Sequence, residues 1–315
     1  MQFLTKKTTE LSVSEKCGLV DLFNDVFAKE RTIEEFERQF LNNCDGGSYH
    51  TFAIEDDRIV ASNTMIPAIY QVSGERLRFV NSVDTMIAIR HRGLENFYDM
   101  IKASFRDSEQ RGFDAVYGFP NDNSYELFTK LKFMKDVGKL DTYCLPYRVG
   151  GVKNGFKFLN PLSRAFSRVW VWCSSLFASN KVANYEIEKD ASSYNATRYK
   201  RGDGEYSIVE GLFVYKVMSY EGIRTAFIID VFEKSAKNFC RSVNYLLKNE
   251  RAGFDLILYV GHLQFGSCGL IKIPHKYEPK HFNFTAAIFN KKNIDKKAFF
   301  ELDNWDVNLS SYDVI

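Results

Sequence analysis

The chain has no paired-cysteine motif, little proline, no excess of one charge and no long apolar run. Its six cysteines stand at 17, 44, 144, 173, 240 and 268. None is close enough to another for a CxxC redox pair or zinc-finger spacing, and no metal site is expected. Apolar neighbours such as Trp172 and Phe239 predict buried free thiols in a reducing compartment. Six Pro and nineteen Gly among 315 residues exclude a collagen-like or low-complexity chain. Forty-two Lys plus Arg against forty Asp plus Glu leave a net charge of +2, without the basic excess of a nucleic-acid binder. No stretch of eighteen apolar residues is present, so no membrane-spanning helix is predicted. Residues 1–10 lack the apolar centre of a signal peptide, and the expected compartment is the cytoplasm.

Aromatic residues are abundant, at 15%, with 28 Phe and 17 Tyr. They predict cores of large flat side chains. Ser12-x-x-Glu15 and Thr32-x-x-Glu35 read as capping boxes opening two helices. Strand patterns follow at His50–Glu55, Arg58–Pro67, Ile69–Val72 and Leu77–Ile89. Arg92-Gly93 then starts a helix with Leu94, Phe97, Ile101 and Phe105 on its buried face, stopped at Gly112. Ala115–Phe119 is a short strand, and Ser124 is expected to cap a helix ending near Leu131. Mixed strands and helices in this order predict an α/β (α+β) fold with a mixed sheet.

Residues 1–146 read as one domain, 147–190 as a connector and 191–315 as a second domain with a similar order of elements. Within the connector, Leu162, Phe166, Val169, Trp170 and Cys173 recur at helical spacing. The expected role is a helix packed between domains or in a homodimer contact; the alternative is an interfacial membrane helix.

The stretch Val83-Asp84-Thr85-Met86-Ile87-Ala88-Ile89-Arg90-His91-Arg92-Gly93-Leu94 runs from a strand through a turn into a helix start. Free backbone N–H groups there favour an anion, and Arg90 and Arg92 add charge. Gly118-Phe119-Pro120-Asn121-Asp122-Asn123-Ser124 makes a second strand-to-helix junction. Two neighbouring junctions form the kind of crevice where open α/β sheets bind ligands.

The order of elements, the Arg-Gly helix start and the run Asn121…Ser124…Leu127-Phe128-x-Lys130-Leu131-x-Phe133 resemble the GNAT acyl-CoA N-acyltransferases. In that family an Arg/Gln-x-x-Gly-x-Gly/Ala loop cradles the coenzyme A pyrophosphate, and the preceding strand splays to pair with the pantetheine arm. The resemblance covers residues 1–146, and the rest resembles a second, degenerate GNAT-like domain in tandem. More narrowly, Asp84-Thr85-Met86 and Gly118-Phe119-Pro120-Asn121 are similar to members of bacterial surface-polysaccharide pathways, such as those for O-antigen or capsule, that acylate nucleotide-linked amino sugars.

The resemblance implies an acyl-CoA co-substrate, acetyl-CoA or 3-hydroxybutanoyl-CoA, held by Met86, Ile87, Arg90, Arg92, Gly93, Leu94, Asn121 and Ser124. It implies a nucleotide sugar as acceptor, a dTDP-linked amino-dideoxyhexose, touched by Arg198, Tyr199 and His262. Asp84, Tyr125 and Asn121 are the implied catalytic residues, with Glu95 and His91 as further candidate bases. The sequence departs from the family pattern at Glu95, near the expected phosphates, and at Phe128, where many members carry an acidic Tyr. Other readings of the resemblance are a GNAT acting on another amine and a GNAT fold without catalysis.

Overall fold

The computed structural model of the protein describes residues 1–201, 206–249, 253–290, 292 and 294–312. Its strands in chain order are β1 (Leu4–Lys7), β2 (Tyr49–Glu55), β3 (Arg58–Val72), β4 (Glu75–Ile87), β5 (Ala115–Gly118), β6 (Lys135–Lys139), β7 (Asp141–Pro146), β8 (Ile187–Lys189), β9 (Ser207–Val209), β10 (Phe213–Tyr220), β11 (Ile223–Val231), β12 (Leu256–Gly261), β13 (Ile271–Ile273) and β14 (Asn283–Ile288). The helices are α1 (Val13–Phe27), α2 (Ile33–Leu41), α3 (Leu94–Gln110), α4 (Asp122–Lys130), α5 (Val149–Val152), α6 (Asn160–Leu176), α7 (Ala191–Thr197), α8 (Ala236–Lys248) and α9 (Lys296–Phe299). The result is a mixed α/β fold with two mixed sheets.

Two compact units share the chain. Unit 1 comprises Met1–Gly138, Glu186–Gly204 and Asn283–Asn304; unit 2 comprises Lys139–Tyr185, Glu205–Phe282 and Trp305–Ile315. The sequence reading drew three continuous segments instead. The difference lies in two returns of the chain. Strand β8 pairs with β3, and β14 pairs with β5, so both complete the first sheet.

The sheet of unit 1 runs β1-β2-β3-β4-β5-β14-β6, with β8 also on β3. Both capping boxes form: Ser12 accepts from the Glu15 N–H, Thr32 from that of Glu35, and each Glu closes the box in return. Helices α1 and α2 bury Leu19, Val20, Phe36 and Phe40 against Phe52 and Ile66. Phe97, Met100 and Ile101 of α3 pack with Ala61, Met65, Val80 and Val116 in a separate core cluster. Leu94, expected on the buried face of α3, is exposed, because the chain has only just entered the helix there. The break expected after Pro67 is absent, and β3 is continuous. Its ladder with β2 ends at Met65 and that with β8 starts at Tyr70. Pro67 falls between them, where a missing N–H costs little on that side.

The sheet of unit 2 runs β13-β7-β12-β11-β10-β9. Phe239, Val243, Leu246 and Leu247 of α8 pack on Ala226, Ile228, Ile257 and Tyr259. The six expected free thiols are four. Cys240 and Cys268 form a disulfide with Cα atoms 5.1 Å apart. Of the rest, Cys17, Cys44 and Cys173 are exposed and Cys144 is half-buried, so the apolar neighbours misreported burial. Among the described residues no helix is long and apolar enough to cross a membrane.

Candidate active site

Strands β4 and β5 run parallel and pair from Phe79 and Ala115 to Ser82 and Gly118. There β5 ends. Strand β4 continues from Val83 to Ile87, held by β3 on its other side. Along that stretch its β5-facing edge has no strand partner among the described residues. Gly118 sits where the two part. A Cβ there would lie 3.1 Å from the Ser82 carbonyl oxygen, so a larger residue would push the two strands apart by a few tenths of an ångström.

A bulge bends β4 at this point. Its register with β3 slips between Ser62, opposite Met86, and Thr64, opposite Val83. Asp84 takes the left-handed conformation within it, with φ +46°. Asn63 lies across the bulge. Its amide donates to Ser82 Oγ at 3.0 Å and Thr85 Oγ1 at 2.9 Å, and its carbonyl accepts from Ser104 Oγ of α3 at 2.8 Å. The distorted strand is thus tied to the helix that follows it.

Asp84 is also anchored from the opposite face. Arg31, in the α1–α2 connection, donates from Nη1 to Asp84 Oδ2 at 2.5 Å. Their side chains are only 11% and 7% exposed. The Arg31 guanidinium carbon lies 3.3 Å from the centre of the Phe23 ring. Below this pair His50 is wholly buried, with Nε2 2.9 Å from Thr8 Oγ1 and Nδ1 3.0 Å from Thr64 Oγ1. Burial, aided by the Arg31 charge, pushes its pKa down to about 3, so it is neutral at ordinary pH. Arg31 left no mark in the sequence, because its partner lies 53 residues away and its own neighbours are polar.

Past Ile87 the chain makes a 3-10 turn, Ile89–His91, and reaches α3 through Gly93. No side chain caps this helix start, and Gly93 is extended. The first N–H groups of α3 are therefore available to an anion. Arg90, Arg92, Leu94 and Glu95 are exposed around it. Arg92 Nε donates to the Ile87 carbonyl at 3.2 Å, bracing the end of β4. His91 Nδ1 meets Glu55 Oε2 at 3.0 Å. The α3 N–H groups with Arg90 and Arg92 suit a pyrophosphate, and the unpaired edge of β4 suits the amides of a pantetheine arm. Glu95 adds a negative charge to the same helix turn.

The second junction is built differently from the sequence expectation. Asn121, not Ser124, caps α4: its Oδ1 accepts from the Ser124 N–H and Oγ, both at 3.0 Å. Those atoms are engaged with each other rather than turned outward. Tyr125 lies on α4, where burial and then neighbouring Asp136 raise its hydroxyl pKa. Phe128 is buried against Phe97, with ring centres 5.2 Å apart. The position thus contributes packing where a hydroxyl was sought.

Arg198 and Tyr199 belong to unit 1 and His262 to unit 2. Arg198, Tyr199 and Arg201 are buried, and Arg201 Nε donates to the Asn42 carbonyl at 2.7 Å. The two arginines are therefore part of the interior, while Lys200 between them is exposed. His262 follows β12; its N–H donates to the Val307 carbonyl at 3.0 Å, and its carbonyl accepts from the Tyr185 hydroxyl.

Unit 2 repeats the strand arrangement with a different outcome. Strands β11 and β12 are parallel and pair from Thr225 and Leu256 to Ile228 and Tyr259. Beyond that, the chain's own residues 305–310 are engaged by both. Asn308 bridges to Gly261 of β12. Its amide donates to Asp230 Oδ1 of β11 at 2.8 Å, and Ser310 Oγ donates to Oδ2 at 3.0 Å. Lys234 Nζ meets Asp306 Oδ2 at 2.8 Å and Asp230 Oδ1 at 3.4 Å. Burial opposes its charge, but these carboxylates outweigh it and hold the ammonium pKa up. Trp305, Val307 and Leu309 are fully buried. The following helix, α8, is capped by Ser235, which accepts from the Asn238 N–H. Among the described residues no group of three or more His, Cys, Asp or Glu is placed to hold a metal ion.

Three solved structures share the fold over most of the chain. A conserved protein from Enterococcus faecalis, described as a probable N-acyltransferase, superposes with a TM-score of 0.55 at 11% identity, covering 93% of this chain and 74% of that one. A GCN5-related N-acetyltransferase from Anabaena variabilis gives 0.57 at 10% identity, covering 92% and 73%. Another from Kribbella flavida gives 0.56 at 11% identity, covering 91% and 71%. No curated protein matches the sequence. Residues 8–132 match the family model for an acetyltransferase (GNAT) domain. That span holds β4, its bulge, the uncapped α3 and β5. Residues 8–132, within unit 1, thus match a GNAT acetyltransferase domain, and the chain shares its fold with structures described as N-acyltransferases.

Proposed function

We propose that unit 1 transfers an acyl group from coenzyme A to the amine of a nucleotide-linked amino sugar, and that unit 2 is a second GNAT-like domain without an acyl-CoA site. The observation that carries the transfer reading is the splayed, bulged end of β4 leading into an uncapped helix flanked by Arg90 and Arg92. The sugar acceptor, a dTDP-linked amino-dideoxyhexose, rests on the Asp84-Thr85-Met86 and Gly118-Phe119-Pro120-Asn121 resemblance. The filled counterpart in unit 2 supports its role as a domain without an acyl-CoA site.

In the proposed reaction the neutral amine attacks the thioester carbonyl. A C–N bond forms, the C–S bond breaks, the thiolate leaves, and the amine proton passes to solvent. Backbone N–H groups of β4 at Met86 or Ile87 polarise the carbonyl and stabilise the developing oxyanion. Asp84 is the titratable side chain of the Val83–Ile87 segment. Its carboxylate is bound to Arg31, so its role is to hold the bulge, and with it the acyl group, against the acceptor. Arg90, Arg92, Gly93 and Leu94 bind the pyrophosphate, and Asn121 and Ser124 shape the opposite wall.

Isothermal titration with acetyl-CoA and free coenzyme A tests the binding half. Micromolar affinity is expected; absence of heat at millimolar ligand would remove the reading. Thiol release from acetyl-CoA and 3-hydroxybutanoyl-CoA with a panel of nucleotide amino sugars, amino acids and peptides tests the acceptor. Turnover confined to amino acids or peptides would replace the sugar while leaving the site intact.

A further inference from the structure

Helix α6 of unit 2 is mounted the wrong way round for an ordinary surface helix. Such a helix turns its apolar stripe inward and its polar face to water. Here Ser163, Ser167 and Val171 face the protein. Ser163 Oγ donates to the Tyr147 carbonyl at 3.0 Å, and Ser167 Oγ donates to that of Pro146 at 3.1 Å. Val171 is buried in the core of unit 2. The outward face carries Leu162, Phe166, Val169, Trp172 and Leu176, each more than half exposed, and Phe177 follows at 89%. Phe158, one turn earlier, is 76% exposed. Trp170 is pinned beside them by its Nε1, which donates to the Gly269 carbonyl at 2.8 Å. An apolar face this continuous signals a binding surface.

The charge around it names the occupant. From residue 142 to residue 185 there is no Asp or Glu, but Lys153, Lys157, Arg164, Arg168 and Lys181 fall there, with Arg148, which is ion-paired with Asp255 at 2.9 Å. The rest of the chain is slightly acidic, 36 Lys plus Arg (42 less these six) against 40 Asp plus Glu, or net −4. Aromatic and aliphatic side chains on one face, in a segment whose only charges are basic, match the interface of an anionic bilayer. Trp and Phe at the level of the headgroups suit the same place. A second copy of this chain fits less well, because facing copies would bring together two segments whose only charges are basic.

We propose that α6 and the segment before it form a membrane-surface anchor that lies flat on bilayers rich in anionic lipid. The anchor does not span the bilayer. It belongs to unit 2 and is independent of the acyl-transfer reading of unit 1.

Flotation of the full chain with vesicles tests this. Vesicles of equal parts phosphatidylglycerol and phosphatidylcholine should carry the protein at low salt and release it at high salt, whereas pure phosphatidylcholine should carry much less. Trp170 and Trp172 fluorescence should shift to the blue on the anionic vesicles, a readout that needs no variant. The double substitution Phe166→Glu, Trp172→Glu should weaken partitioning by about tenfold or more, since both side chains lie in the buried face of the bound helix. Lys153→Gln with Lys157→Gln should remove part of the preference for anionic lipid. Circular dichroism should be unchanged in both, as all four side chains are exposed. Failure of the wild-type chain to float with anionic vesicles at low salt would overturn the proposal. So would a stable dimer that Phe166→Glu, Trp172→Glu dissociates, with no vesicle binding by the wild type.

Discussion

The passages β4–α3–β5 in unit 1 and β11–α8–β12 in unit 2 are built to one plan and finished in opposite ways. Each pairs two parallel strands over a short stretch and lets them part. In unit 1 the gap is bordered by a bulged strand edge and a helix start with no side-chain cap. In unit 2 the chain supplies its own occupant: Asn308 bridges to β12 and bonds Asp230 of β11, and Ser235 caps the helix. Topology alone therefore does not make a binding site. What makes one is the deliberate omission of groups that would satisfy the backbone.

The largest effect is expected where the seal is charged. Asp230→Ala strips Asn308, Ser310 and Lys234 of a shared carboxylate in a buried network. A loss of about 3–5 kcal/mol is expected. Thermal unfolding would register it, and coenzyme A binding below that transition should persist, because the site is in unit 1. Equal loss of binding at temperatures where the protein is folded would erase the contrast between the units.

Asp84→Asn comes next. Asn tolerates the left-handed conformation but leaves the Arg31 charge without its partner. A stability loss of about 2–3 kcal/mol is expected, reduced from the fully buried case by partial exposure. The turnover number should fall more than the affinity for coenzyme A, as the bulge loosens while the α3 start is untouched. Unchanged turnover would detach Asp84 from catalysis.

The third test uses pH. His50 has its folded pKa depressed to about 3 from a model-peptide value of 6.5. The unfolded chain takes up this proton first on acidification, so the contribution is present above pH 6.5 and is lost as pH falls toward 3. Between pH 6.5 and pH 5 the loss should be about 1.5 kcal/mol, and His50→Gln should flatten that part of the stability curve. An unaltered curve would mean that His50 does not report on the Arg31–Asp84 neighbourhood.

The smallest effect rewrites the helix start of unit 1 in the manner of unit 2. Gly93 is extended and a Cβ there meets nothing within 4 Å, so Gly93→Ser fits. Its hydroxyl should cap α3, stabilising it by a few tenths of a kcal/mol, and compete with the anion for the same N–H groups. Slightly raised melting with affinity for coenzyme A lowered severalfold is the expected pair of results. Tighter binding would contradict an anion site at that turn.

Much of this was legible because it is local. Capping boxes at Ser12 and Thr32, the Arg92-Gly93 helix start and the strand ending at Gly118 are written in neighbouring residues. What was missed depends on distance. Nothing in Asn283–Ile288 says which sheet receives it, since apolar alternation fixes a face and not a neighbour. The Arg31–Asp84 pair, the Cys240–Cys268 bridge and the Asn308 plug each join segments 28 or more residues apart. Asn121 and Ser124 were named correctly as a junction, but which one capped the other depended on backbone angles that the order of residues left open.

Strand β14 has a consequence for the order in which the protein can be made. It lies between β5 and β6, and it is the element through which β6 joins the sheet. A ribosome that has finished α4 and β6 has therefore released every residue of the GNAT match, yet the nascent sheet still ends in an open β5 edge. That edge closes only when residue 288 emerges, after most of unit 2 has been synthesised. Completion of this sheet thus waits on a segment that follows most of unit 2, and a fragment cut at residue 146 would carry the GNAT match on an unfinished scaffold.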